Sequence, residues 1–269
     1  MQHVRSVITA RELLWNLTLR ELRTKYRKSF LGWAWSMLNP LATVAIYSFV
    51  FGVLFQASAP QGDPSGLSGF AYFLLSALIP WNFFALVANL GISSISANAG
   101  LVRRVAFPRE VLVFSNVLHA CVQFVIEMSI LITIFALVGG PFFPWVLGAV
   151  LSGVLLAAFG AGFALALSAL AVFFKDVTYL WSIFLQVWFF LTPIVYAPSI
   201  VEDRAPGWAN TILQFNPMRA FVIIFRNLLY DGRMPGLQVT SFAVLSSALS
   251  LTLGWIIFAR LGRRIPEEV

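Results

Sequence analysis

The feature that most constrains this chain is a series of long apolar segments, each with the length of a membrane-spanning helix. About twenty apolar residues in helical conformation cross a bilayer. Six segments reach that length: 30–55, 70–96, 111–138, 144–174, 177–197 and 238–259. Backbone groups in lipid must be hydrogen-bonded within their own segment, so all six are predicted to be helices. The chain is therefore predicted to be an all-α polytopic membrane protein, in keeping with 59% hydrophobic and 11% charged residues.

The basic residues lie unevenly about the predicted membrane. Fourteen of the eighteen lysines and arginines fall in the segments 1–29, 97–110, 175–176 and 260–269, whereas the loops 56–69 and 139–143 carry none. Cytoplasmic loops are enriched in lysine and arginine. Both termini are therefore predicted to be cytoplasmic.

The long segment 198–237 holds two moderately apolar pieces joined at Asn216 and Pro217. The second piece spans about thirteen residues, or roughly 20 Å of helix, which is too short to cross a bilayer. We expect a pair of short re-entrant helices between the fifth and sixth spans. The alternative is a helix lying on the membrane surface. Arg219 and Arg226 are two turns apart on nearly one face of the second piece, and in either case they predict that this face contacts water.

The N-terminal segment 1–29 has two faces at helical spacing. One carries Ile8, Trp15, Leu19, Leu22 and Tyr26, and the other carries Asn16, Arg20, Arg23 and Arg27. Such a pattern predicts an amphipathic helix in the cytoplasmic membrane interface, with a plain positively charged anchor as the alternative. A second apolar patch at Leu13, Leu14 and Leu17 predicts a further contact surface.

Motifs for catalysis or nucleotide binding are missing from the sequence. It contains no phosphate-loop motif, no H-E-x-x-H and no G-x-S-x-G, and Cys121 is its one cysteine. Nothing in the sequence therefore supports catalysis by this chain, and we expect it not to be an enzyme, to have no cofactor or metal of its own and to bind no nucleic acid.

One polar face lies inside the third predicted span. His119, Gln123 and Glu127 follow one another at one-turn spacing. Ionisable groups inside a membrane are candidate functional sites. A proton relay is one interpretation; a polar stripe that contacts a neighbouring helix or a wet channel is the other, and the one we favour.

Aromatic residues are concentrated in the first and fifth predicted spans. The candidates for a transport path are Trp33, Tyr47, Phe51, Trp181, Phe184, Trp188, Phe189 and Tyr196. Aromatic faces stack on sugar rings and also tolerate lipid, which suits the passage of a glycan. Ordinary packing and interfacial belts are the alternatives for any single residue.

Four stretches together resemble one family. They are "KYRKSFLGWAWSMLNPL" (25–41), "VAFPREVLVFSNV" (105–117), "VFFKDVTYLWSIFLQVWFFLTPIVY" (172–196) and "FNPMRAFVIIFRNLLYDG" (215–232). In order and spacing they look like the ABC-2 type permeases that export O-antigen, teichoic acid and related polysaccharides. The resemblance covers nearly the whole chain as a single transmembrane domain, 1–269.

The resemblance implies a homodimer in the bacterial inner membrane, each subunit binding a separate ABC ATPase chain that holds ATP and Mg²⁺. Its substrate would be a polyprenyl-diphosphate-linked polysaccharide such as O-antigen, teichoic acid or a galactan-like glycan. Spans one and five would flank a lateral opening in the channel wall, and the re-entrant helices would lie at the external exit.

The stretch "LVRRVAFPREV" (101–111) resembles the coupling helix of these permeases. Pro108 fixes its own φ and restricts Phe107, which gives a stiff loop. Phe107 could fill an apolar socket of the ATPase, and Arg103, Arg104, Arg109 and Glu110 could pair with its surface. A positively charged loop with a proline turn is the alternative.

A basic cluster precedes the first span, formed by Arg20, Arg23, Lys25, Arg27 and Lys28. Arginine forks bind phosphate groups well, so the cluster is a candidate site for the diphosphate of the lipid anchor. Simple attraction to anionic membrane lipids, about 1 kcal/mol per residue, is the alternative.

Two further functions compete with polysaccharide export. One is an ABC-2 exporter of small hydrophobic compounds. The other is a proton-coupled secondary carrier that uses His119 and Glu127. A glycan-modifying membrane enzyme ranks last, because no catalytic set is present.

Overall fold

The structure, a computed structural model, describes residues 10–25, 32, 34–54, 56, 59–105, 107–140, 144–200, 206–262 and 264–265, and their regular structure is helical. The helices are α1 (Arg11–Lys25), α2 (Ala34–Tyr47), α3 (Phe70–Ser93), α4 (Ala99–Arg104), α5 (Glu110–Leu137), α6 (Trp145–Phe173), α7 (Val177–Leu191), α8 (Gly207–Gln214), α9 (Pro217–Phe225) and α10 (Leu237–Leu261). Two π-helical turns extend α2 over Ser48–Leu54 and α9 over Arg226–Asp231.

Four of these helices, α3, α5, α6 and α10, are long and apolar enough to cross a membrane. Two shorter apolar helices lie at Pro40–Leu54 and Val177–Leu191. No strand occurs among the residues that the structure describes. The prediction of an all-helical, multi-pass membrane protein is confirmed, while six spans and a re-entrant pair stay predictions.

Side-chain bonds identify two ends of the helix bundle. At the first, which we call the basic end, Arg20 contacts Asn98 and Arg109 contacts Gly262. α1, the 94–109 loop and the C-terminal end of α10 therefore meet there. At the second, the clamp end, the 59–69 loop, residues 192–197 and the 226–231 turn contact one another.

The centre of the bundle is α6, which packs against α3 and α10 through small residues. A Cβ on Gly91 would lie 2.5 Å from Ala164 of α6, and a Cβ on Gly254 would collide with the backbone of Gly162. Close backbone approach at small residues is the usual basis of helix packing in membranes. Ser247 and Ser250 add hydrogen bonds from α10 to carbonyls of α6, and we call this contact the α6–α10 seam.

The fifth predicted span, 177–197, is helical as far as Leu191 and then turns. Pro193 lacks an amide hydrogen and cannot continue the helical pattern. The carbonyls of Leu191, Pro193 and Ile194 accept hydrogen bonds from side chains of the 216–226 segment. These tertiary bonds satisfy backbone groups at the helix end and hold residues 192–194 in a non-helical path.

Candidate transport and coupling sites

The loop that resembles a coupling helix divides into an outward and an inward part. Arg103 and Arg104 are exposed at the end of α4, and Val105 is 52% exposed. Phe107 instead packs against the protein core, and Glu110 is buried in the first turn of α5. Among the described residues of this loop, Arg103, Arg104 and Val105 are therefore the exposed ones.

Arg109 lies at the junction between this loop and α5. Its Nη1 atom donates a hydrogen bond to the carbonyl of Gly262 at 2.6 Å. Gly262 follows the last turn of α10, where carbonyl groups have no partner within the helix. The sequence predicted that Arg109 would pair with an external surface, and the structure shows that at least one of its donors bonds within the chain.

α1 uses the second apolar patch, rather than the Trp15 face, to contact the rest of the chain. Leu17 is buried, and Leu13 and Leu14 pack partly buried against the core. Trp15 is 60% exposed. An amphipathic helix at a membrane interface presents its aromatic side to lipid, and this arrangement leaves Trp15 free to do so.

Arg20 connects α1 to the 94–109 loop. Its Nη2 atom lies 2.7 Å from Glu21 Oε1 and donates to Asn98 Oδ1 at 2.6 Å. Arg23 is exposed on the same helix. The other members of the predicted diphosphate cluster, the Lys25 side chain, Arg27 and Lys28, lie outside the described residues, as does Trp33 of the predicted path.

The aromatic residues of α7 fall into two groups. Trp181 and Trp188 are buried against Phe84 and Phe163, with ring centroids 5.1–6.3 Å apart. Phe184 lies on the same side of the helix and is 47% exposed, with its ring centroid 5.3 Å from that of Trp181 and 5.0 Å from that of Trp188. The two tryptophans therefore pack inside the subunit, and Phe184 packs beside them at the edge of the cluster, where about half of it stays exposed.

The remaining aromatic candidates are intermediate in exposure. Tyr47 and Phe51 form a pair with ring centroids 5.9 Å apart at the end of α2, and Phe51 stacks on Phe70 of α3. Phe189 contacts Trp81, and Tyr196 donates from its hydroxyl to the carbonyl of Phe190. That these residues line a channel stays a prediction.

The polar face of α5 is buried within the bundle. Gln123 Nε2 donates to Glu127 Oε1 at 2.7 Å, and Glu127 and His119 are 2% and 3% exposed. The amide donor stabilises the carboxyl group in an environment poor in water. The choice between a polar stripe and a proton relay stays a prediction.

At the clamp end, the structure corrects the prediction that Arg226 lies on a water-exposed face, because this arginine is buried. Arg226 is 5% exposed, and its guanidinium donates to the carbonyls of Pro193 and Ile194, both at 2.9 Å. Its Cζ atom lies 3.6 Å from the ring centre of Phe73, a cation–π contact. Burial lowers the pKa of Arg226, and the nearby Asp231 carboxylate opposes that shift.

Asn216 forms a second contact between α7 and α9. Its Oδ1 atom accepts from Trp188 Nε1 at 2.7 Å and from the Met218 amide at 3.0 Å, while Nδ2 donates to Thr192 Oγ1 and the Leu191 carbonyl. Asparagine followed by proline is a frequent helix start. That signal predicts the start of α9, but not the bonds to α7.

The 59–69 loop closes over the same end. The Tyr230 hydroxyl donates to the carbonyl of Pro60 at 2.8 Å, and Ser65 bonds through its hydroxyl to the Tyr230 carbonyl and through its amide to that of Asp231. Gly232 then ends the 226–231 turn with a φ of 74°, in the left-handed region that favours glycine. No group of three or more potential metal ligands occurs among the described residues.

Comparison with known proteins identifies the class. Residues 12–230 match the family described as ABC-2 type transporter, and the chain belongs to this family. It is 29% identical to an O-antigen export system permease protein RfbA of Klebsiella pneumoniae over 258 residues, which cover 95% of this chain and 94% of that protein.

Two further relatives are similar along most of their length. The permease protein RfbA of an O-antigen export system in Myxococcus xanthus is 30% identical over 256 residues, 94% of this chain and 92% of its own. The polysialic acid transport protein KpsM of Escherichia coli is 24% identical over 245 residues, 90% of each chain.

Proposed function

We propose that this chain is the membrane-spanning permease subunit of an ATP-driven polysaccharide exporter. The observation that carries the proposal is its similarity, along nearly all of its length, to permeases named for export of O-antigen. The relative named for polysialic acid transport adds a second kind of polymer. ATP hydrolysis would belong to a separate chain, since the sequence has no phosphate-loop motif.

The proposed arrangement has six spans and a re-entrant pair, with both termini in the cytoplasm of a bacterium and the spans in its inner membrane. α2 and its π-helical turn continue from Ala34 to Leu54, close to the length of about twenty residues that a span needs. α8 and α9, of 8 and 9 residues, are too short to cross. The basic end would face the cytoplasm because arginine and lysine concentrate there.

The proposed partners are a second copy of this chain and two copies of an ABC ATPase that binds ATP and Mg²⁺. Arg103, Arg104 and Val105 form the outward part of the loop and would meet the ATPase. α7 presents an apolar face that is more than half exposed at Tyr179 and Ile183. In a membrane such a face contacts lipid or another copy.

For the transport path we propose the partly exposed aromatic residues Tyr47, Phe51 and Phe184 rather than the buried tryptophans. Stacking on sugars is weak at each residue, so a polymer can slide without being trapped. In a Cys121→Ala background, a cysteine at position 184 should react with a water-soluble thiol reagent, and one at 188 should not. Equal labelling at both positions, or no labelling at position 184, would contradict the assignment of Phe184 to the transport path.

For the lipid anchor we propose that exposed Arg23 contacts the diphosphate group. A guanidinium binds phosphate through two parallel hydrogen bonds, which lysine cannot reproduce. Export should therefore fall with Arg23→Lys as well as with Arg23→Gln. Normal export by the lysine variant together with failure of the glutamine variant would show general charge attraction instead.

A deletion strain tests the function as a whole. Cells lacking this chain should accumulate polysaccharide in the cytoplasm and lose it from the surface, and the intact gene should restore both. An unchanged surface polysaccharide in the deletion strain would refute the proposal. Loss of resistance to hydrophobic compounds without a change in polysaccharide would point to the small-molecule alternative.

A further inference from the structure

The end of α10 is bonded to a side chain of the 94–109 loop. Arg109 Nη1 donates to the Gly262 carbonyl at 2.6 Å, and the Gly262 amide donates to Phe258 at 2.7 Å. Carbonyls at a helix C-terminus carry its partial negative charge and lack intrahelical partners. The guanidinium therefore makes a charge-assisted bond with a helix end, a strong type of hydrogen bond.

The backbone of Arg109 is fixed where its side chain begins. The carbonyl of Arg109 accepts from the Leu112 amide at 3.0 Å, and that of Pro108 accepts from the Val111 amide at 3.1 Å. Both bonds belong to the first turn of α5, and Pro108 has a restricted φ. A displacement of the loop would thus be passed to Gly262 rather than absorbed by local rotation.

α10 passes such a displacement on to α6. Along the seam, Ser247 and Ser250 donate to the carbonyls of Leu155 and Phe159 at 3.0 and 2.8 Å. Gly254 lies directly on the backbone of Gly162. Sliding one helix past the other would break these bonds and close contacts, so the two helices move most easily together.

We propose that Arg109 is a positioning residue that couples the 94–109 loop to the α6–α10 pair during ATP-driven export. It acts through the end of α10, not by binding the ATPase. The proposal rests on the proposed function, since it presupposes an ATPase that moves the loop. It explains why Arg109 is half buried against Gly262 while Arg103 and Arg104 are exposed.

The test compares Arg109→Leu with Arg260→Ala in the complete transporter. The control removes a cation from the exposed last turn of α10 and leaves the Arg109 bond intact. Three quantities are measured: ATPase co-purified, ATP hydrolysed and polysaccharide exported per ATP. Arg109→Leu should keep ATPase co-purification and ATP hydrolysis within about twofold of the wild type and should lower the polysaccharide exported per ATP about tenfold. The control should change none of these quantities.

Two further variants keep the test decisive if Arg109→Leu does not accumulate. Arg109→Lys retains a cation at the helix end with less favourable geometry, and its export per ATP should lie between the wild type and the leucine variant. In a Cys121→Ala background, Arg109→Cys with Arg264→Cys should regain export per ATP when a short bis-maleimide linker joins the two thiols. A mere loss of stability would not be repaired in this way.

Three outcomes would overturn the proposal. Loss of ATPase co-purification in parallel with export would make Arg109 a docking residue. Unchanged export per ATP in both the leucine and lysine variants would make the bond a simple helix cap. If the linker did not raise export per ATP, export would not depend on the connection between the loop and α10. Failure of the proposed function itself is distinguishable, because the unmodified protein would then show no ATP-dependent export.

Discussion

The clamp end and the basic end of the subunit are held together in different ways. At the clamp end, Arg226, Asn216 and Tyr230 are 5%, 8% and 1% exposed, and each bonds to backbone of another segment. At the basic end, hydrogen bonds between segments are donated by Arg20, which is exposed, and by Arg109, which is half buried, and Leu17 adds an apolar contact.

This difference has an energetic consequence. Breaking a buried hydrogen bond leaves a polar group without water, whereas an exposed bond is replaced by water at little cost. The clamp end should therefore keep one arrangement, whereas at the basic end the exposed contact between Arg20 and Asn98 should break and re-form readily. An ATPase acting on the basic end would then move helices against a fixed clamp.

The largest effect is expected from Arg226→Met. The change leaves the carbonyls of Pro193 and Ile194 buried without their donor, and hydrogen bonds to a charged group contribute about 1.5–3 kcal/mol each. We expect the free energy of unfolding in detergent to fall by about 3 kcal/mol or more. Arg233→Met is the control: Arg233 is exposed, and its ion pair with Asp231 should contribute about 0–1 kcal/mol. Similar losses in the two variants would contradict a buried clamp.

A smaller loss is expected from Gly254→Ala, which tests the seam between the two ends. The added methyl group would collide with Gly162, and overpacking costs about 1–3 kcal/mol. Gly236→Ala, at the start of the same helix, is the matched control, because no atom lies within 4 Å of the position that its methyl group would take. Thermal unfolding should show a lower midpoint for the first variant alone; equal midpoints would mean that the seam is loose.

At the basic end, the Arg20–Asn98 contact should be weak. A double-mutant cycle with Arg20→Ala and Asn98→Ala should give a coupling energy below about 1 kcal/mol, since Arg20 is exposed. Chemical unfolding of the four proteins measures it. A coupling energy of about 2 kcal/mol or more would remove the contrast between the two ends.

The smallest effect is expected from Glu127→Gln between the two ends. An amide can still accept the hydrogen bond that Gln123 donates, so the packing of α5 should survive. We expect ATP-driven export to stay within about twofold of the wild type. Abolished export with intact folding would restore the proton-relay interpretation.

The sequence predicts the helices of this protein better than the bonds between them. The length of the apolar segments was enough to place α3, α5, α6 and α10, because lipid requires helices. The burial of Arg226 was not predictable, since its partners at Pro193 and Ile194 lie more than 30 residues away. Helical spacing describes one helix at a time and carries no information about such partners.

The same limit applies to the candidate sites. A coupling loop was predicted from residues 101–111, but the bond from Arg109 crosses 153 positions to Gly262. The aromatic pattern of α7 likewise could not separate Trp188 from Phe184, because both lie on one face and only tertiary packing buries the first and leaves the second partly exposed. The exposed fraction of each side chain in the folded subunit distinguishes Phe184 from Trp188.

The most direct test of the account is transport in sealed vesicles that contain this chain and its cognate ATPase. Lipid-linked polysaccharide is placed on the side of the basic end, and its appearance on the other side is followed with a membrane-impermeant lectin or antibody. The account predicts transport with ATP and Mg²⁺, and none with a non-hydrolysable analogue or without this chain. Transport that proceeds without ATP hydrolysis, or that needs only a proton gradient, would contradict it.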